Sequence, residues 1–225
     1  MRRIGSVTGF AGRVDDPRGR STRALLIECA ENMVAEYGVH GASVRQIVKA
    51  SRSANSSVVA YHFGSKDALL QAVINHRLPG IEQRRTELLA EARGRHRAPP
   101  VSDLVEALYR PFFEQRNAEG RRSYAAFVDE LSRANLIDIR TSLDSDYPVT
   151  AQILREMLNG ANGNGTKSFG HRIFLSSALI FAAIKQIDKL ALENDEGESQ
   201  FVDALAAATS VIEAKKEARR ATSTM

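Results

Sequence analysis

The stretch 41–66, GASVRQIVKASRSANSSVVAYHFGSK, decides how this chain folds. Ser43 and Gln46 stand in the S-x-x-Q relation of a capping box, in which each side chain satisfies a backbone donor of a helix's first turn. Val44, Ile47 and Val48 follow at i, i+3 and i+4 and share one face, which leaves Arg45, Gln46 and Lys49 to water or phosphate. Ser51, Arg52 and Ser53 break that pattern, and Asn55 has the side chain of an N-cap for a second helix. Val59 and Phe63 share its inner face, while Ser56, Ser57, Val58 and Ala60 are expected on the outer one. Small side chains at the start of a helix suit a major groove, where they approach base edges and thymine methyls closely. After Gly64, Ser65 caps a third helix with Lys66 in its first turn, so backbone amides and an ammonium are expected to face one phosphate.

The run Tyr61-His62-Phe63-Gly64-Ser65-Lys66-Asp67-Ala68-Leu69-Leu70 resembles the Y-H-F-x-S-K-x-x-L-L signature of the TetR family of transcriptional regulators, and the likeness extends over residues 22–89. Two departures stand out. The turn Ser51-Arg52-Ser53-Ala54 is one residue longer than the commonest A-G-V-S turn, and Ala60 occupies a position that is often aromatic. The resemblance implies an all-α chain with an N-terminal three-helix helix-turn-helix DNA-binding domain and a larger helical ligand-binding and dimerisation domain. It implies a ligand-responsive regulator, a repressor rather than an activator, that binds a palindromic operator in double-stranded DNA as a homodimer. Asn55, Ser56, Ser57, Val58 and Tyr61 would then lie nearest the bases or their flanking phosphates, with Ser43, Arg45, His62 and Lys66 clamping the DNA backbone. Tyr109, Phe112, Phe113, Tyr124, Phe127 and Phe174 would line a pocket for an unknown, largely apolar small-molecule effector. No cofactor and no metal is expected.

Outward from this stretch, residues 1–20 combine Gly5, Gly9, Gly12, Gly19 and Pro17 with five arginines and no hydrophobic period. They read either as a basic arm along the DNA or as a solvated tail. The domain reading is this arm, a DNA-binding unit over 21–66, a connecting helix over 67–80, and a ligand-binding and dimerisation domain over 81–220. Residues 22–37 carry Leu25, Leu26, Cys29, Ala30, Met33, Val34 and Tyr37 at helical spacing, with Gly38 placed to end the helix. Pro79-Gly80 is expected to interrupt or kink the helix that leaves Ser65.

Downstream, helical periods recur over 81–93, 101–115, 122–139 and 148–158, without the alternation of strands. Residues 169–192 are apolar on more than one side and so must be buried on more than one side. With 201–216, where alanines permit close approach, they are expected to form a four-helix bundle with a second copy of the chain.

Charge supports this division. The chain carries a net +4, with residues 1–100 holding +7 and residues 101–225 holding −3. Basic surface beside a groove-reading helix supplies the salt-sensitive part of DNA affinity. The single cysteine, Cys29, suits a reducing cytoplasm and is expected to be a small buried hydrophobe. No apolar run approaches the roughly 20 residues of a membrane span, and the N-terminus lacks the apolar core of a secretory signal.

Enzyme signatures are missing: there is no G-x-G-x-x-G, P-loop, H-E-x-x-H or C-x-x-C, and the five histidines are scattered. Asp144 and Asp146 read as turn residues in Ser-Asp-Tyr-Pro. Two alternatives stay open on sequence, a basic helical module that binds nucleic acid without reading it, and an all-α enzyme built on the aromatic pocket.

Overall fold

A computed structural model describes residues 17–53, 55, 57–136, 147–160, 166–192 and 194–214. The regular structure among them is entirely helical: α1 (Pro17–Gly41), α2 (Val44–Ala50), α3 (Val58–Phe63), α4 (Lys66–Arg95), α5 (Val101–Glu114), α6 (Ser123–Arg133), α7 (Pro148–Gly160), α8 (Thr166–Lys189) and α9 (Asn194–Glu213). The all-α expectation holds. Of the sequence readings, residues 1–16, Ser56, Ile137, and the pair Asp144 and Asp146 lie outside the described residues.

α1 begins at Pro17, inside the segment read as an arm, and changes direction at Gly38, whose φ of 72° and ψ of 171° end the main helix. A side chain there would be strained, and its Cβ would also come within 3.1 Å of the Glu130 carboxylate. α1 packs on α2, α4 and α6, and it contributes Leu26, Ile27, Ala30 and Val34 to the core. Cys29 is half-buried rather than buried, and desolvation followed by the charges of Glu28 and Glu119 raises its thiol pKa.

An interruption or a kink is expected at Pro79-Gly80, and the interruption does not occur, since α4 continues through both residues for a length of 30. Proline removes one backbone donor, but α4 is held on both sides of it by packing. Leu69, Leu70, Val73 and Ile74 are buried before the proline, and Ile81, Leu88 and Leu89 after it. The same helix therefore touches α3 at one end and α5 and α7 at the other. α5 likewise passes through Pro111 without stopping.

α6 ends at Arg133, earlier than its hydrophobic pattern suggests. Asn135 takes a positive φ of 54°, and the Leu136 N–H returns to the Leu131 carbonyl at 2.9 Å, closing a Schellman-type cap. α8 ends in the same way before Leu190, with Ala191 at φ 50° and Leu192 N–H on the Ile187 carbonyl at 3.1 Å. α8 and α9 pack against each other, α6 rests on α8, and α5 on α9.

Candidate nucleic-acid interface

The capping box is formed. Ser43 Oγ accepts from the Gln46 N–H at 3.2 Å, and the Ser43 N–H donates to Gln46 Oε1 at 2.9 Å. The Ser43 hydroxyl also donates to Gln46 Oε1 at 2.6 Å, so its proton is committed within the cap. The cations of α2 are Arg45 and Lys49, both exposed, on the face opposite buried Ile47 and Val48.

The turn from α2 to α3 is built from serine and arginine. Ser51 is 7% exposed and its hydroxyl donates to the Val48 carbonyl at 2.8 Å, while the Ser53 N–H returns to the same carbonyl at 3.3 Å. Arg52 sits between them at φ 55°, a left-handed conformation that disfavours a side chain. That conformation turns an exposed arginine outward at the corner of the reading unit.

α3 starts later than expected. Asn55 does not cap a helix that begins beside it. Its Oδ1 accepts from the Ser57 N–H at 2.9 Å, and its carbonyl from the Val58 N–H at 3.2 Å, closing an Asx-type turn before the first helical residue. The competing turn is the short local hydrogen bond that an asparagine side chain offers its own backbone. Asn55, Ser57, Ala60 and Tyr61 are exposed, and Tyr61 is 74% so despite its ring. Val58 departs from the outward expectation, because it is half-buried and packs with Val59 and Phe63 against the core.

Gly64, at φ 79°, ends α3 and lets the chain enter Ser65, whose Oγ accepts from the Ala68 N–H at 3.1 Å. Lys66, expected at a phosphate, has a protein partner in this structure. Its Nζ donates to the Val39 carbonyl and so ties α4 to the corner after Gly38. A half-buried ammonium has more to gain from an unpaired carbonyl beside it than from reaching toward solvent. Desolvation lowers its pKa, and Asp67 partly offsets this.

Two arginines were not visible in the local motif. Arg23 of α1 lies over the Phe63 ring at 5.0 Å and is exposed, so an α1 cation flanks α3. His62, edge-on to Tyr61 at 4.9 Å, feels both burial and this charge. Desolvation first, and Arg23 second, hold its imidazole below the usual histidine pKa. At neutral pH it is therefore a neutral hydrogen-bonding group rather than a cation. Arg23 and Arg52 are far from the signature run in sequence or within its irregular turn, so only the fold reveals their position.

The proposed effector residues divide. Phe112 stacks on Tyr124 with centroids 5.7 Å apart, Tyr124 on Phe127 at 6.0 Å, and Phe181 meets Phe112 edge-on at 5.2 Å. Phe113 stacks on Phe201 at 4.2 Å, and the Tyr109 hydroxyl pairs with Ser177 Oγ at 2.9 Å. Burial raises the Tyr109 phenol to about 12. These five are packed core. Phe174 does not join them, being 50% exposed on the outer side of α8. Helical spacing cannot distinguish the two sides of a helix that is apolar all round, and this one turns Phe174 away.

Residues 26–73, which span the end of this interface on α1 through the first part of α4, match the family model described as bacterial regulatory proteins, tetR family. No protein of curated function matches the chain.

Proposed function

We propose that this chain, whose N-terminal domain is of the TetR type, is a sequence-specific repressor that binds a palindromic operator as a cytoplasmic homodimer and responds to a small ligand. The observation that carries the reading is α3 itself. Ser57, Ala60 and Tyr61 are exposed on a short helix held rigidly from behind by Val59 and Phe63, and the exposed cations Arg23, Arg45, Lys49 and Arg52 surround it. A small-residue face with one projecting tyrosine fits base edges in a major groove. The surrounding cations supply phosphate contacts. Lys66 acts here by fixing the angle between α4 and α1 rather than by gripping DNA.

Pairing is supported by the outer sides of α8 and α9. Phe174, Leu175 and Val202 are 50%, 43% and 47% exposed, an apolar patch on two adjacent helices whose other sides are already packed. A second copy of the chain covers it as a four-helix bundle, and a two-fold dimer presents two α3 helices to half-sites about one helical turn or a multiple apart. Ligand response is carried by α4, which is continuous from α3 to the larger domain. A ligand acts by favouring one tilt of α4, and hence one spacing of the two reading heads.

The test is a Tyr61→Ala variant in a duplex-binding titration. Loss of discrimination between the selected operator and random duplex, with residual salt-sensitive binding, is the expected result. Discrimination equal to that of the parent protein overturns the placement of α3.

A further inference from the structure

A cleft of about 730 Å³ opens between α1, α6 and α8. None of the aromatic residues discussed above lines it. Its lining includes Ala35, Ala126 and Ala182, one from each helix, the cations Arg121, Lys185 and Lys189, and the exposed carboxylate of Glu36. The cations are not equivalent. Arg122 is bound to Asp188 at 2.6 Å and to the Phe113 carbonyl at 2.7 Å, and Lys185 to Asp129 and Glu130 at 3.2 and 3.3 Å. Arg121 and Lys189 are exposed, and neither side chain has a hydrogen-bond or ion-pair partner among the described residues. Two exposed cations, without side-chain partners among the described residues, beside three alanines suit a ligand with a negatively charged head and an apolar body. The volume falls in the range of roughly 300–1,000 Å³ usual for small-molecule sites.

We propose that this cleft binds a small amphipathic organic anion, with its carboxylate or phosphate between Arg121 and Lys189 and its apolar body on the three alanines. This deepens the ligand-responsive part of the reading above and rests on it only for its regulatory meaning. The wall of the cleft supplies that meaning. Ser123, a lining residue, donates to Glu31 Oε1 at 2.5 Å, and Arg77 of α4 binds both oxygens of the same buried carboxylate at 2.7 and 2.9 Å. An occupant that moves α6 against α1 therefore moves a contact shared with α4. The centre of the cleft lies toward the C-terminal end of α8, about 18 Å along the helix from Phe174 at 1.5 Å per residue.

The test uses the full chain without DNA and three probes of one shape: 2-naphthoate, 2-naphthyl phosphate and the neutral 2-naphthamide, followed by calorimetry. The anions are expected to bind saturably and the amide about tenfold or more weakly, the difference that one charge-assisted hydrogen bond makes. Arg121→Glu and Lys189→Glu, both at exposed positions, are expected to weaken the anions by a similar factor while leaving thermal unfolding unchanged. If the carboxylate alone or the phosphate alone binds, the head group is identified and the site stands. No saturable binding of either anion, equal binding of the amide, or unchanged anion binding in both variants overturns the proposal. Because the readout contains no DNA, each of these outcomes is independent of whether α3 reads sequence.

Discussion

Replacing Arg77 with leucine tests the buried contact that ties α4 to α1 and α6. Glu31 is 1% exposed in the interior of α1, and its carboxylate is held by two hydrogen bonds from Arg77 and one from Ser123. The Arg77 side chain is 21% exposed, so its own loss opens no large cavity. What remains is a buried carboxylate with one hydroxyl donor. Removing one partner of a buried pair costs about 3–5 kcal/mol, and the surviving Ser123 contact places this case near the lower end, about 3 kcal/mol. The double variant Glu31→Leu/Arg77→Leu removes the stranded charge as well. It leaves only the Ser123 hydroxyl short of an acceptor, a loss of about 1 kcal/mol. Urea unfolding of the parent, Arg77→Leu and the double variant measures all three. The double variant is expected to be more stable than Arg77→Leu alone. A single variant within about 1 kcal/mol of the parent, or a double variant less stable than the single, refutes the view that this buried carboxylate is held chiefly by Arg77.

Arg52→Gly is expected to raise the midpoint of thermal unfolding, since glycine relieves a left-handed conformation that costs a side chain about 1 kcal/mol, and to weaken binding to all duplexes alike through loss of one cation; an unfolding midpoint below the parent's contradicts this. Ala60→Asp, at an exposed position, is expected to abolish operator binding by repulsion with stability changed by less than about 0.5 kcal/mol, whereas Val58→Asp is expected to cost stability too because Val58 packs against the core; circular dichroism melts and gel shifts separate the two. His62 gives opposite pH signatures. Its folded-state pKa is depressed by desolvation and Arg23, so the unfolded chain binds the proton more readily, and stability is lost as pH falls through the ordinary histidine range near about 6.5. DNA phosphates favour the imidazolium, so operator affinity is expected to rise over the same interval. His62→Gln should flatten both profiles, and parent-like pH slopes in the variant would assign them to other groups.

Much of the reading unit was legible because its signals are local. Ser43 with Gln46, and Ser65 before Lys66, are caps whose partners lie three residues away, and Gly38 and Gly64 mark turns that need a positive φ. The failures arise where a distant group decides. The Lys66 ammonium is expected to face a phosphate, while the carbonyl that accepts its hydrogen bond here belongs to Val39, 27 residues earlier. The expected break at Pro79 did not form because packing against α5 and α7 holds α4 together where local propensity would part it. Asn55 offered two local structures, a cap or a turn, and the turn won because it bonds the Ser57 N–H before a helix can start. The aromatic residues of α5 and α6 are expected to line a pocket, yet Tyr109, Phe112, Phe113, Tyr124 and Phe127 are buried against one another and their neighbours, and on α8 the period gave no means of distinguishing the buried Phe181 from the exposed Phe174. The cleft between α1, α6 and α8 left no trace in the sequence, since its lining residues are brought together from three separate segments.

The central claim is that α3 reads base sequence and that two copies do so together. Selection from a random duplex pool by the purified full chain at near-physiological salt, with sequencing of the bound fraction, addresses both at once. A two-fold symmetric motif with half-sites about one helical turn or a multiple apart is the predicted outcome. Comparable retention of every duplex, with no enriched motif, would contradict it and leave a basic helical module that holds DNA without reading it.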